Sequence, residues 1–188
     1  SDLMLFHIFS LLVHAIAGLV AGTCLLRLYM QFQRINLSLR SGNPLAPFIF
    51  ALTNWLVMPL RRFVPAVGRL DTASLLAALL VVAAKFLLLS LAAGAFPYGM
   101  VLLLACVFDL LNVSVSGLVW LVIAYAVLSW VRAGSDVGYF LAQLVEPLLR
   151  PIRRVLPLVG GVDLSPLALL LALQVLEIVL RGLQIQLV

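Results

Sequence analysis

Apolar residues run almost without interruption from Leu3 to Met30, broken only by His7, His14 and Arg27. That exceeds the ~20 residues needed to cross a bilayer's hydrocarbon, so it predicts a first membrane-spanning helix. A polar stretch with Gln31, Gln33, Arg34, Asn36 and Arg40 follows, and the chain then restarts in a half-apolar segment, PFIFALTNWLVMPLRRFVPAVGRLD. Its prolines forbid one long helix. Its basic end and Trp55 suit an interfacial or re-entrant hairpin better than a span. Thr72 to Phe96 reads as a second span, with Lys85 near its middle, and Pro97-Tyr98-Gly99 as a charge-free turn. The run from Met100 to Trp130 is longer than a span requires and changes character around Asp109, Asn112, Ser114 and Ser116. It must tilt, bend at that polar patch, or begin as an in-plane helix. After Arg132 and the loop AGSDVG comes YFLAQLVEPLLRPIRRVLPLVGGVDLS, then a last span from about Pro166 to Val188.

Composition fixes the solvent. The 188 residues are 65% hydrophobic and 10% charged, with mean hydropathy +1.24, too few polar side chains to clothe a water-soluble globule. In hydrocarbon only helices or closed barrels satisfy the backbone, and these runs are far longer than barrel strands of about 10 residues. The expected fold is an all-α membrane protein with four transmembrane helices and short interfacial or re-entrant helices in the connecting loops. Asp2 stands where a secretory signal would carry a basic residue, so the first run is expected to stay as a membrane helix. Cys24 and Cys106 sit singly in apolar runs, as small packing residues.

The chain also aligns with itself. PLRRFVPAVGRLD matches PIRRVLPLVGGVD, and Pro59, Arg61, Arg62, Pro65, Gly68 and Asp71 each find their identical partner 92 positions later, at Pro151, Arg153, Arg154, Pro157, Gly160 and Asp163. Upstream, RLYMQFQR ending at Arg34 resembles YAVLSWVR ending at Arg132, 98 positions on. Residues 1–96 and 97–188 therefore read as two tandem helix–loop–helix repeats. With two spans each, the halves run in the same direction and both arginine loops fall on one side. The positive-inside rule makes that side the cytoplasm and puts both termini outside.

Candidate chemistry sits in two places. In the loops, Pro151 and Pro157 frame an IRRVL turn whose paired arginines suit phosphate oxygens, because guanidinium is planar, permanently charged and bidentate. Topology alone explains the charge but not the repeated spacing. Asp71 and Asp163 are placed to cap the following helices, with Thr72 and Ser165 close by, and Gly68, Gly160 and Gly161 allow a bend. Within the bilayer, Lys85 and Glu177 occupy equivalent places with opposite charge, so they are expected to meet near a pseudo-symmetry axis. Gln174, Glu177, Arg181 and Gln184 form one polar stripe that either lines an ion path or glues helices together, and a pore needs several chains assembled. Gly18 and Gly22 make a GxxxG spacing. His7 and His14 share a face about 10 Å apart, too far to serve one metal. No nucleophile has a neighbouring base, and the arginines lie beside apolar spans, which favours headgroups over nucleic acid. Neither an enzyme, nor a metal or cofactor, nor nucleic-acid binding is expected.

At EPLLRPIRRVLPLVGGVDLSPLALLLAL, and at the Leu128-Ser129-Trp130 run, the chain resembles the YggT family of membrane proteins. The family's motif residues here are Glu146, Pro147, Arg150, Pro151, Arg153, Arg154, Pro157, Gly160, Gly161, Asp163, Ser165 and Pro166. The first copy departs from it: Asn54-Trp55 replaces Glu146-Pro147, Met58 replaces Arg150, Arg69 replaces Gly161, and Ala73-Ser74 replaces Ser165-Pro166. The resemblance implies a bacterial inner-membrane protein associated with tolerance of osmotic or ionic stress. Related chloroplast proteins are associated with haem attachment to a membrane cytochrome and with nucleoid distribution. Two roles follow as expectations: a non-enzymatic part in ion homeostasis through a homo-oligomer, or an assembly scaffold whose arginine loops bind anionic phospholipid headgroups or a membrane protein partner.

Overall fold

The computed structural model describes residues 1–35, 37, 38, 40, 42–96, 99–131 and 136–187. Asn36, the Pro97-Tyr98 turn, Arg132, most of the AGSD loop and the expected span end at Val188 lie outside them. Six helices follow in order: α1 (Asp2–Phe32), α2 (Ala46–Arg61), α3 (Thr72–Ala93), α4 (Gly99–Val131), α5 (Asp136–Val155) and α6 (Ser165–Leu187). Helices α1, α3, α4 and α6 are long and apolar enough to cross a membrane. The long third run is one unbroken helix, in which the Ser114 hydroxyl donates to the Leu110 carbonyl at 2.7 Å.

Small residues let α1 and α3 lie close together. Ala21, Cys24, Ala73, Ala77, Ala78 and Val82 are buried between them, where bulk would hold the backbones apart. A second core joins α4, α5 and α6 through Val122, Val145, Leu149, Leu169 and Leu173. A third, with Met30, Ile49, Leu141 and Leu144, ties the end of α1 and the start of α2 to α5. It seats both loop helices at the same end of the bundle.

Each loop helix buries one stripe. In α5, Leu141, Leu144, Val145 and Leu149 recur at helical spacing while Gln143, Arg150 and Arg154 stay exposed. The expected turn between Pro151 and Pro157 is corrected here, because α5 runs through Pro147 and Pro151 as far as Val155. Each proline removes one rung of hydrogen bonding. Burial of the apolar stripe outweighs those losses.

The GxxxG spacing is not a close helix contact. Nothing lies near a Cβ added at Gly18, and one at Gly22 would meet only the Val113 side chain, at 3.8 Å.

Candidate functional site

After each loop helix the chain turns back in an elbow, and both elbows are built alike. Val67 and Leu70 exchange backbone hydrogen bonds of 3.1 and 3.0 Å across Gly68-Arg69, and Val159 and Val162 exchange bonds of 3.3 and 3.1 Å across Gly160-Gly161. Such a two-residue reversal needs positive φ, which glycine alone adopts freely. Gly68 and Gly160 both stand at φ 60°. The second elbow also has Gly161 at φ 78°, the pattern of a type I′ turn, whereas Arg69 keeps a negative φ, the pattern of type II′. This accounts for an arginine where the second copy has glycine.

The turn brings an arginine and an aspartate together across ten residues of chain. Arg61 Nη2 lies 2.6 Å from Asp71 Oδ2, and Arg153 Nε lies 3.1 Å from Asp163 Oδ2. Arg153 also donates to Glu146 at 2.7 Å and to the Tyr125 hydroxyl at 3.1 Å. Asp71 is 2% exposed and also accepts from the Ser74 hydroxyl. Gln31, with its amide turned to satisfy both neighbours, donates to Asp71 at 3.1 Å and accepts from Arg61 at 2.7 Å. Burial alone would raise the Asp71 pKa, but the hydrogen bonds from Arg61 and Ser74 outweigh it and hold the carboxyl below its usual 3.8. Asp163 is likewise lowered, chiefly by hydrogen bonding from Ser165. Burial would lower Arg153, yet Tyr125 and Glu146 raise it on balance.

Of the two expected capping carboxylates, Asp71 occupies the N-cap of α3 but spends its side chain on Arg61 and Ser74, while Asp163 accepts from the Ser165 backbone N–H at 3.0 Å. Arg61 and Arg153 thus each hold the aspartate of their own elbow. Their neighbours differ. Arg34, Arg40, Arg62, Arg69, Arg150 and Arg154 are exposed, and none forms an ion pair among the described residues. Two polar pockets open among them. One, of about 620 Å³, lies between the end of α1 and α5 and includes Arg34, Gln143, Glu146 and Arg150. The other, of about 580 Å³, lies against the first elbow and includes Gln31, Arg34, Arg69 and Asp71. Arg34, the one non-glycine residue with positive φ among those described, lines both.

Inside the bundle the expected meeting of Lys85 with Glu177 does not occur. Helix α4 stands between α3 and α6, and its Asp109 takes Lys85 at 2.6 Å. Glu177 faces Arg181 on its own helix at 3.8 Å. The expected stripe on α6 is divided: Gln184 accepts from Asn112 of α4 at 3.4 Å, while Gln174 and Arg181 stay exposed. Arg27, 2% exposed, forms no ion pair among the described residues. It donates to Thr53 at 2.9 Å and Asn54 at 2.6 Å and lies 5.0 Å from the Phe50 ring centroid. Sequence reasoning missed this contact, although a lone arginine inside an apolar run signals a need for partners. His7 and His14 are exposed on α1, and no group of three metal-ligating side chains occurs among the described residues.

Comparison with known proteins places this arrangement. The chain is 36% identical over 169 residues to the uncharacterized protein YggT of Escherichia coli (strain K12), covering 89% of this chain and 86% of that protein. An uncharacterized protein of Vibrio alginolyticus is 35% identical over 168 residues (88% and 89%), and one of Haemophilus influenzae is 32% identical over 168 residues (87% and 86%). No solved structure matches. The CCB3/YggT family model matches residues 6–92 and again 104–184, so each match takes in one elbow, and the chain belongs to the CCB3/YggT family.

Proposed function

We propose that the protein is a non-enzymatic scaffold of the bacterial inner membrane whose elbows face the cytoplasm and hold anionic phospholipid headgroups. One observation carries this reading: at each elbow one arginine is latched by carboxylate while its neighbour, Arg62 or Arg154, is left to solvent, and four more exposed arginines share that end of the bundle. A guanidinium near an anionic bilayer surface contributes roughly 1 kcal/mol. Six give a grip that a neutral membrane does not offer. The test is thermal unfolding in nanodiscs of phosphatidylcholine with and without phosphatidylglycerol. The anionic lipid is expected to raise the unfolding temperature, and Arg62→Gln/Arg69→Gln/Arg150→Gln/Arg154→Gln to abolish most of that rise. An undiminished rise in the quadruple variant sinks the reading.

A second reading, an oligomeric ion path serving osmotic or ionic stress tolerance, draws on α6. Gln174 and Arg181 are exposed on a span, where polar groups call for cover by another copy of the chain. Ion flux into proteoliposomes that vanishes in Glu177→Ala is its expected signature, and flux-free vesicles count against it.

A further inference from the structure

An apolar groove of about 310 Å³ separates α1 from α4, lined by Gly22, Leu25, Val113, Gly117 and Leu121 among others. The polar atoms on its walls are already engaged. The Tyr29 hydroxyl donates to the Leu144 carbonyl, and that of Ser114 to Leu110. At the arginine end the groove reaches Leu70, and Leu70 also lines the polar pocket that holds Gln31, Arg34 and Arg69. The carboxylate in that pocket, Asp71, is already neutralised by Arg61. The apolar groove and the pocket with Arg34 and Arg69, which form no ion pair among the described residues, therefore adjoin at Leu70.

From this adjacency we infer a specific site for one anionic phospholipid, with an acyl chain along the α1/α4 groove and its phosphate between Arg34 and Arg69. The inference rests on the reading of the arginine end as an anionic-headgroup surface and narrows it to one stoichiometric site. A helix from a second copy does not suit the groove. Its apolar face would cover the groove walls but bring no anion to Arg34 and Arg69. A diacyl lipid with a charged head matches both ends.

Gly117 supplies the test, because a Cβ added there meets nothing within 4 Å and a longer side chain extends into the groove without backbone conflict. The full chain in detergent is titrated with phosphatidylglycerol, phosphatidylcholine or glycerol 3-phosphate, and bound molecules are counted by native mass spectrometry. One phosphatidylglycerol per chain is expected, with no adduct of glycerol 3-phosphate. Gly117→Leu is expected to lower the lipid adduct at least tenfold, and Gly117→Ala to leave it. Arg34→Gln/Arg69→Gln is expected to erase the preference for phosphatidylglycerol over phosphatidylcholine. Val113→Phe, narrowing the groove from another position on α4, serves if Gly117→Leu does not fold. A wild-type adduct in a folded groove-filled variant overturns the site, as does equal retention of soluble glycerol 3-phosphate. If groove-filled and wild-type chains both lack the adduct yet keep their arginine-dependent stabilisation in phosphatidylglycerol nanodiscs, the site fails and the headgroup surface stands. If that stabilisation is missing as well, both fail.

Discussion

Asp71→Asn and Asp163→Asn are the same change at equivalent places in two similar turns, yet their consequences should differ several-fold. Asp71 is 2% exposed and holds Arg61 at 2.6 Å together with the Ser74 hydroxyl. Removing one partner of a buried pair costs about 3–5 kcal/mol, because the other charge is left uncompensated. Arg61 is 34% exposed and can turn partly to water, so the expected loss lies at the lower end, about 3 kcal/mol. In the second elbow Asp163 and Arg153 are 36% and 33% exposed, and Arg153 keeps Glu146 and Tyr125 when Asp163 is gone. An exposed pair of that kind contributes about 0–1 kcal/mol. At about 2–4 °C per kcal/mol for a chain of this size, Asp71→Asn should lower the unfolding temperature by roughly 6–12 °C and Asp163→Asn by no more than about 4 °C. Cys24 and Cys106 are buried free thiols, so a thiol-reactive fluorophore reports unfolding without an added label. Equal shifts in the two variants would refute the argument from burial. So would an Arg61→Gln/Asp71→Asn cycle with no coupling, since partners in contact normally couple by about 0.5–3 kcal/mol.

Both aspartates titrate below the ordinary value of 3.8 in the folded chain, so the unfolded chain binds protons more readily and stability rises with pH. Unfolding temperature should be insensitive to these groups well above pH 3.8 and fall as pH drops through that value toward the depressed folded pKa, with a smaller acid loss in Asp71→Asn. At the turns, Gly161→Arg forces a side chain onto φ 78° and should cost about 1–2 kcal/mol, whereas Arg69→Gly should be nearly silent in the same unfolding assay. Asp109→Asn strands Lys85, whose side chain is 5% exposed, and should cost about 3–5 kcal/mol, while Lys85→Met/Asp109→Leu should recover most of the loss in thermal scans.

The spans were legible because a transmembrane helix writes itself into one dimension, as an apolar run longer than the bilayer is thick. The elbows were half legible. The repeated spacing pointed to one shared geometry, but it did not tell which arginine turns inward. The signal was present in the ten-residue interval from Arg61 to Asp71 and from Arg153 to Asp163, with a glycine turn between. The partner of Lys85 was not legible, since the neighbouring acid depends on which helix packs beside α3 and at what rotation. Equivalence by sequence to Glu177 says nothing about proximity when α4 lies between. A loop helix is expected from the sequence, but the full length of α5 is not, because Pro151 reads as the edge of a turn, whereas burial of Leu144, Val145 and Leu149 outweighs two lost rungs.

Two departures between the halves, Arg27 against Tyr125 and Asn54 against Glu146, belong together electrostatically. Aligning RLYMQFQR with YAVLSWVR sets Arg27 against Tyr125, and aligning the loops sets Asn54 against Glu146. In the first half Arg27 reaches from the span to Asn54, and in the second Arg153 reaches from the loop helix to both Tyr125 and Glu146. The first half therefore fastens its first span to its loop helix through two guanidiniums, Arg27 reaching out from α1 and Arg61 reaching back from α2 to Gln31, whereas in the second Arg153 reaches back from α5 to Tyr125. With Arg27 already cationic, the first half has two guanidiniums and one carboxylate in its latch, whereas the second has one guanidinium and two carboxylates. The positive excess falls in the half whose Arg34 and Arg69 border the polar pocket beside Leu70. On the headgroup reading, a phosphate should therefore be held more tightly on that side than at the second elbow, where Glu146 and Asp163 offset Arg153 and leave Arg150 and Arg154 as the exposed cations.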